Sequence, residues 1–157
     1  MDFTGLDKWH FELTESACNE LLGLVLEGKK KATSSSVFSF RAEGQEFPNE
    51  GDMSVITDWN GYPRCVIRTS KVRVLPYSEI TFDLAKLEGE DDSLESWRES
   101  HERFFTAEGQ ELGYQFSEEM DVVFEPRPAG RCLIIALGRI PADHSKCPRK
   151  LMFVYFH

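Results

Sequence analysis

The residues of this chain best equipped for chemistry sit in one short stretch, GKKKATSSS, at positions 28–36. Three consecutive lysines, Lys29, Lys30 and Lys31, precede Thr33 and three serines. Adjacent ammonium groups repel one another, so one of them should part with its proton more readily, the more so if partly buried. An amine in that state is a base or a nucleophile, and the hydroxyls behind it can attack or polarise a carbonyl. A bland reading competes: basic residues after a helix complement the negative end of its dipole. A second stretch, LEGEDDS at positions 87–93, crowds Glu88, Glu90, Asp91 and Asp92 around Gly89. Acids at a helix start are stabilising in themselves, yet one carboxylate brought to a lysine could shuttle its proton or orient the amine. Gly89 allows that turn a backbone path closed to other residues.

Elements must hold these two stretches. Residues 14–27 carry Ala17, Leu21, Leu22, Val25 and Leu26 at helical spacing, with Thr14 or Ser16 as start cap and Gly28 as the left-handed stop. Residues 53–57 read as a strand, Asn60-Gly61 as a tight turn, and 64–75 as the returning strand. Within 64–75 the face carrying Arg64 and Arg68 is out of phase with the later alternation, which predicts a bulge near Ser70. Residues 92–111 form a second helix, with Asp92 and Glu95 as a capping box. Leu94, Trp97, His101, Phe104 and Phe105 share one of its faces, a core stripe in which His101 reads as packed rather than catalytic. Residues 122–125 begin another strand. Strands joined by short turns predict an α+β fold with a mostly antiparallel sheet or small barrel against helices.

Composition narrows the function classes. The chain has 157 residues, 41% of them hydrophobic and 12% aromatic, enough for one domain with a core of its own. No apolar run is long enough to span a bilayer, and the first residues lack the pattern of a secretory signal, so no membrane partner is expected. Four scattered cysteines read as reduced thiols, which predicts a cytoplasmic setting. Cys132, His144, Cys147 and His157 lack paired ligand spacing, so neither metal nor other cofactor is expected. The net charge is −9, but residues 126–157 carry six basic residues against Asp143. That segment is +5, which leaves −14 on residues 1–125. So acidic a body disfavours long nucleic acid, which is held through many phosphate contacts.

Together with PNEGDMSVITDWNGYPRCVIRTSKVRVLPYSEI, LEGEDDSLESWRESHERFF and GYQFSEEMDVVFE, the lysine stretch resembles the ASCH-domain family. The resemblance covers residues 13–125; at Lys31 members more often have threonine. It implies a PUA-like fold, a small mixed or antiparallel β-barrel flanked by helices, with a cleft beside the lysine loop. One branch hydrolyses the amide of N4-acetylcytidine, which implies Lys30, Thr33 and Glu90 as catalytic residues, with Glu88 as the substitute if the acidic turn aligns otherwise. Lys29, Lys31, Ser35, Arg64 and Arg68 are the candidate substrate-binding residues, and backbone N–H groups of residues 33–35 the candidate oxyanion donors. The expected ligand is a nucleoside or a short single-stranded RNA. An RNA-binding module and a metal-independent ribonuclease using the same cleft are the alternatives. The resemblance predicts an ASCH domain over residues 1–125. Residues 126–157 read as a divergent basic and apolar tail, starting at Pro126-Arg127-Pro128, whose LIIAL and LMFVYF segments have the character of barrel-edge strands.

Overall fold

The computed structural model describes residues 4–11, 14–127 and the backbone of 133–134. Two sheets share the fold. One has the order β1-β3-β4-β7, built from Asp7–Trp9, Met53–Thr57, Pro63–Arg68 and Leu133–Ile134; the other has the order β2-β6-β5, from Ala32–Ser36, Asp121–Pro126 and Arg73–Pro76. β1 runs parallel to β3, and every other pairing is antiparallel. Helices α1 (Glu15–Leu26), α2 (Val37–Ala42), α3 (Phe82–Ala85) and α4 (Leu94–Leu112) complete it. The α+β class matches the expectation, but among the described residues the strands form two separate sheets rather than a closed barrel.

The phase break expected as a bulge within residues 64–75 has another cause. β4 ends at Arg68 in the first sheet, and β5 starts at Arg73 in the second. The chain changes sheets there, so the inward-facing side changes with it. The register shift lies instead between Ile56 and Thr57, where β3 meets β4. Pro126 costs no pairing with β2: its carbonyl accepts from Ser70 N–H, so its nitrogen also faces away from β2, past the last β5–β6 pair at Arg73 and Phe124. Leu133–Ile134 pairs with Val66 and Cys65 on β4, while the LMFVYF segment lies outside the described residues, as do Cys132, His144, Cys147 and His157.

Each sheet is covered by one long helix. α1 lays Leu21, Leu22 and Val25 against Trp9, Phe11, Ile56, Cys65 and Ile67. α4 lays Trp97, Phe104 and Phe105 against Val122, Phe124, Tyr77 and Ile80. Full burial of each such large apolar side chain stabilises the fold by roughly 1.5–3 kcal/mol. α4 begins one residue later than the capping-box expectation: Ser93, not Asp92, is the cap, and its hydroxyl accepts from Ser96 N–H. No helix of the described residues is long and apolar enough to cross a membrane.

Candidate functional site

The lysine loop is set by how α1 stops. Gly28, at φ 74°, donates its N–H to Val25, and Lys29 donates to Leu24, the paired bonds of a Schellman stop. Lys30 N–H also reaches Leu24 O, and Lys31 N–H reaches Leu87 O in the acidic turn. That turn comes close because Gly89 has no side chain. A Cβ there would lie 2.4 Å from Lys29 O, and its φ of 74° is unfavourable to any other residue as well.

The three lysines part company. Lys29 points to solvent beside Glu27, and Lys31 is exposed. Lys30 turns inward and is 2% exposed. The expected crowding of ammonium groups is therefore absent, since the two neighbours are screened by water while Lys30 faces carboxylates. Its Nζ donates to Glu90 Oε1 at 2.9 Å and lies 3.9 Å from Glu88 Oε2.

Glu88 and Glu90 share a lysine but not an environment. Both are buried, which by itself favours the neutral carboxyl. Glu88 also accepts from Ser34 Oγ at 2.5 Å and Trp97 Nε1 at 3.0 Å, and His101 Nε2 lies 3.4 Å away. His101 Nδ1 lies 2.9 Å from the carbonyl of Trp97, an acceptor, so Nδ1 carries a proton, and a second proton on Nε2 would set an imidazolium against Glu88. Burial disfavours this imidazolium, but the Glu88 carboxylate outweighs it and raises the His101 pKa. In return the His101 charge, with Lys30 and the Ser34 hydrogen bond, overcomes burial and pulls Glu88 down to about 2. Glu90 has Lys30, and more weakly His101, to set against burial and the Glu88 charge, and its pKa is raised. Two neighbouring carboxyls are thus pushed in opposite directions, one held ionised and the other ready to take a proton.

Thr33 begins the second half of the site. Its hydroxyl accepts from Arg127 Nη2 at 2.9 Å. The Arg127 guanidinium lies 5.8 Å from the ring centres of both Trp9 and Phe11, and Lys30 Nζ lies 5.8 Å from Phe11, so both cations lie near one buried ring. Arg127 also lines a cleft of about 480 Å³ with Trp9, where Asp7, Glu46, Asp52 and Glu125 supply four carboxylates.

Of the expected catalytic residues, Lys30 and Glu90 are joined directly, and Thr33 is linked to them through Arg127 and Phe11. Ser35 is buried on β2, and its hydroxyl has no hydrogen-bond partner among the described residues. Arg64 pairs with Asp58 in the β3–β4 turn, and exposed Arg68 lies beside Gly51; no described contact brings either to Lys30. The residues that sequence reasoning passed over are Trp97 and His101, read as core alone, and Arg127, assigned to the divergent tail. The helical spacing of Trp97 and His101 behind LEGEDDS was the available signal for the first two.

An ASCH-domain family model matches residues 7–126, and the chain belongs to that family. It is similar to the ASCH domain from Lactobacillus crispatus JV V101, at 35% identity over 78% of each chain with a TM-score of 0.71. It is also similar to protein EF3133 from Enterococcus faecalis V583, at 30% identity over 86% of this chain and 79% of that one, with a TM-score of 0.73. No curated protein matches.

Proposed function

We propose that the protein hydrolyses the amide of an acylated nucleoside such as N4-acetylcytidine, with Lys30, Glu90 and Thr33 as its catalytic residues. The observation that carries this reading is the buried 2.9 Å contact between Lys30 and Glu90, which sets a carboxyl of raised pKa within proton-transfer distance of the lysine nitrogen.

In the reaction, Thr33 Oγ1 bonds to the acyl carbon while its proton passes to Lys30. The carbonyl electron pair becomes an oxyanion. As the carbonyl re-forms, the C–N bond breaks and the Lys30–Glu90 pair returns the proton to N4, releasing cytidine. Water then adds to the threonine ester by the same route and releases the carboxylic acid. Glu88 stays ionised beneath the pair, neutralised by His101.

The cleft supports a free nucleoside as ligand. Four carboxylates against one guanidinium repel a phosphodiester, whereas Trp9 offers an apolar ring and the acids accept from sugar hydroxyls. RNA binding and cleavage draw less support, because Lys29 is paired with Glu27, Lys30 is held by Glu90, and the cleft is lined by acids. The test is release of cytidine from N4-acetylcytidine by purified protein, followed by chromatography. Wild type should turn over, and Lys30→Ala should lose about 10²–10⁴-fold in rate, the usual weight of a positioned proton-transfer group. A folded wild type that releases no cytidine would contradict the reading.

A further inference from the structure

We infer that Arg127 is the oxyanion-binding group of the site, a role that rests on the hydrolytic reading above. Two of the three backbone amides first expected for this task, those of Thr33 and Ser35, are committed elsewhere. Arg127 N–H donates to Lys31 O, which makes that opposed pair a hydrogen-bonded one. Antiparallel pairs alternate, so Thr33 with Glu125 and Ser35 with Val123 are hydrogen-bonded pairs too. The N–H groups of Thr33 and Ser35 therefore point into β6, while that of Ser34 points away from it.

Arg127 is placed to replace them. Its backbone is fixed by the bond to Lys31, and its guanidinium lies over Trp9 and Phe11. One nitrogen already touches the Thr33 hydroxyl, at 2.9 Å, and the residue also lines the neighbouring cleft. A guanidinium offers two parallel N–H groups that match two oxygens on one carbon, which is why it pairs so well with carboxylates. The tetrahedral centre formed at Thr33 carries two such oxygens, Thr33 Oγ1 and the oxyanion. A fork with one tooth on Oγ1 sets the other on the developing charge. Lys30 cannot supply this contact while it exchanges a proton with Glu90.

The test is steady-state hydrolysis of N4-acetylcytidine by wild type, Arg127→Ala and Arg127→Lys, with thermal midpoints measured alongside. Loss of a single oxyanion donor lowers kcat by about 10²–10³-fold, and Arg127→Ala should lose that much with KM little changed. Added guanidinium ion, at concentrations that leave the midpoint unchanged, should restore part of the Arg127→Ala rate. Arg127→Lys should stay well below wild type, because an ammonium is a point charge without the fork. If Arg127→Ala keeps kcat within about threefold of wild type, or loses it with no recovery in guanidinium, the inference is overturned and the hydrolytic reading stands. Absence of turnover in folded wild type would overturn both.

Discussion

The two faces of β2 use the same kind of residue for opposite ends. On the face toward α4, Ser34 and Ser36 donate to buried carboxylates, Ser34 to Glu88 and Ser36 to Glu108 at 2.6 Å. On the other face, Thr33 accepts from Arg127, and the hydroxyl of Ser35 has no partner among the described residues. Alternation along a strand creates the division, since successive side chains leave on opposite sides. A hydroxyl that gives its proton to a carboxylate is structural. One that receives a bond from a cation keeps its own proton available for transfer. Four consecutive hydroxyls therefore do not form one functional cluster; they are two pairs with different chemistry.

The largest stability effect should come from the α4 face. Among the described residues, Glu88→Ala would remove the one carboxylate within ion-pair distance of His101 and one of two near Lys30. Breaking a buried ion pair by deleting one partner costs about 3–5 kcal/mol, which denaturant unfolding would register. A loss under about 1 kcal/mol would mean that His101 is neutral in the folded protein.

Gly89→Ala ranks next. It forces a Cβ into Lys29 O and a side chain onto a left-handed backbone, so the acidic turn must back away from the lysine loop. Such strain amounts to about 1–3 kcal/mol, and turnover should fall with it because Lys30 and Glu90 separate. A Gly89→Ala protein with wild-type turnover would show that the close approach is dispensable.

The pH dependence of stability sharpens the comparison further. Glu88 is lowered from 4.5 to about 2, so its contribution is complete above 4.5 and is lost as the pH falls through about 2. His101 is raised from 6.5, so its contribution is complete below 6.5 and is lost as the pH rises through the higher value. Glu90 is raised by burial and by Glu88. Glu108 is raised by burial, against its bonds from Ser36 and Tyr114. Both favour the folded state below 4.5 and weaken it as the pH climbs from there through their raised values. The thermal midpoint should therefore be greatest near 4.5 and decline from there toward alkaline pH. Glu108→Gln should flatten part of that decline; an unchanged slope would show that Glu108 titrates normally.

Much of this was legible in the sequence because it depends on local signals. The periodicity of Leu21, Leu22 and Val25 with Gly28 behind them marks α1, its stop and the position of Lys30. Gly89 between two glutamates marks a turn that only glycine permits, and structure adds what it approaches. Three things were hidden, each because tertiary context decided it. ATSSS has no apolar residue beyond alanine, yet it is a fully buried strand, stabilised by carboxylates that arrive from 54 and 72 residues away in sequence. The repulsion expected among Lys29, Lys30 and Lys31 assumed a common direction, whereas the loop turns the middle one inward. Arg127 sits where the charge pattern changes sign, so composition pointed away from the site while the register of β6 against β2 carried it there.

The division of β2 is tested most directly by comparing Thr33→Val with Ser36→Ala, in N4-acetylcytidine hydrolysis and in thermal unfolding. Thr33→Val should lose at least about a hundredfold in turnover while its midpoint falls by only a few degrees, about 2–4 °C for each kcal/mol lost. Ser36→Ala should keep its turnover and lose about 1–3 kcal/mol, the cost of leaving buried Glu108 short of a donor. Turnover that survives Thr33→Val, or that disappears in Ser36→Ala, would contradict the assignment of chemistry to one face and structure to the other.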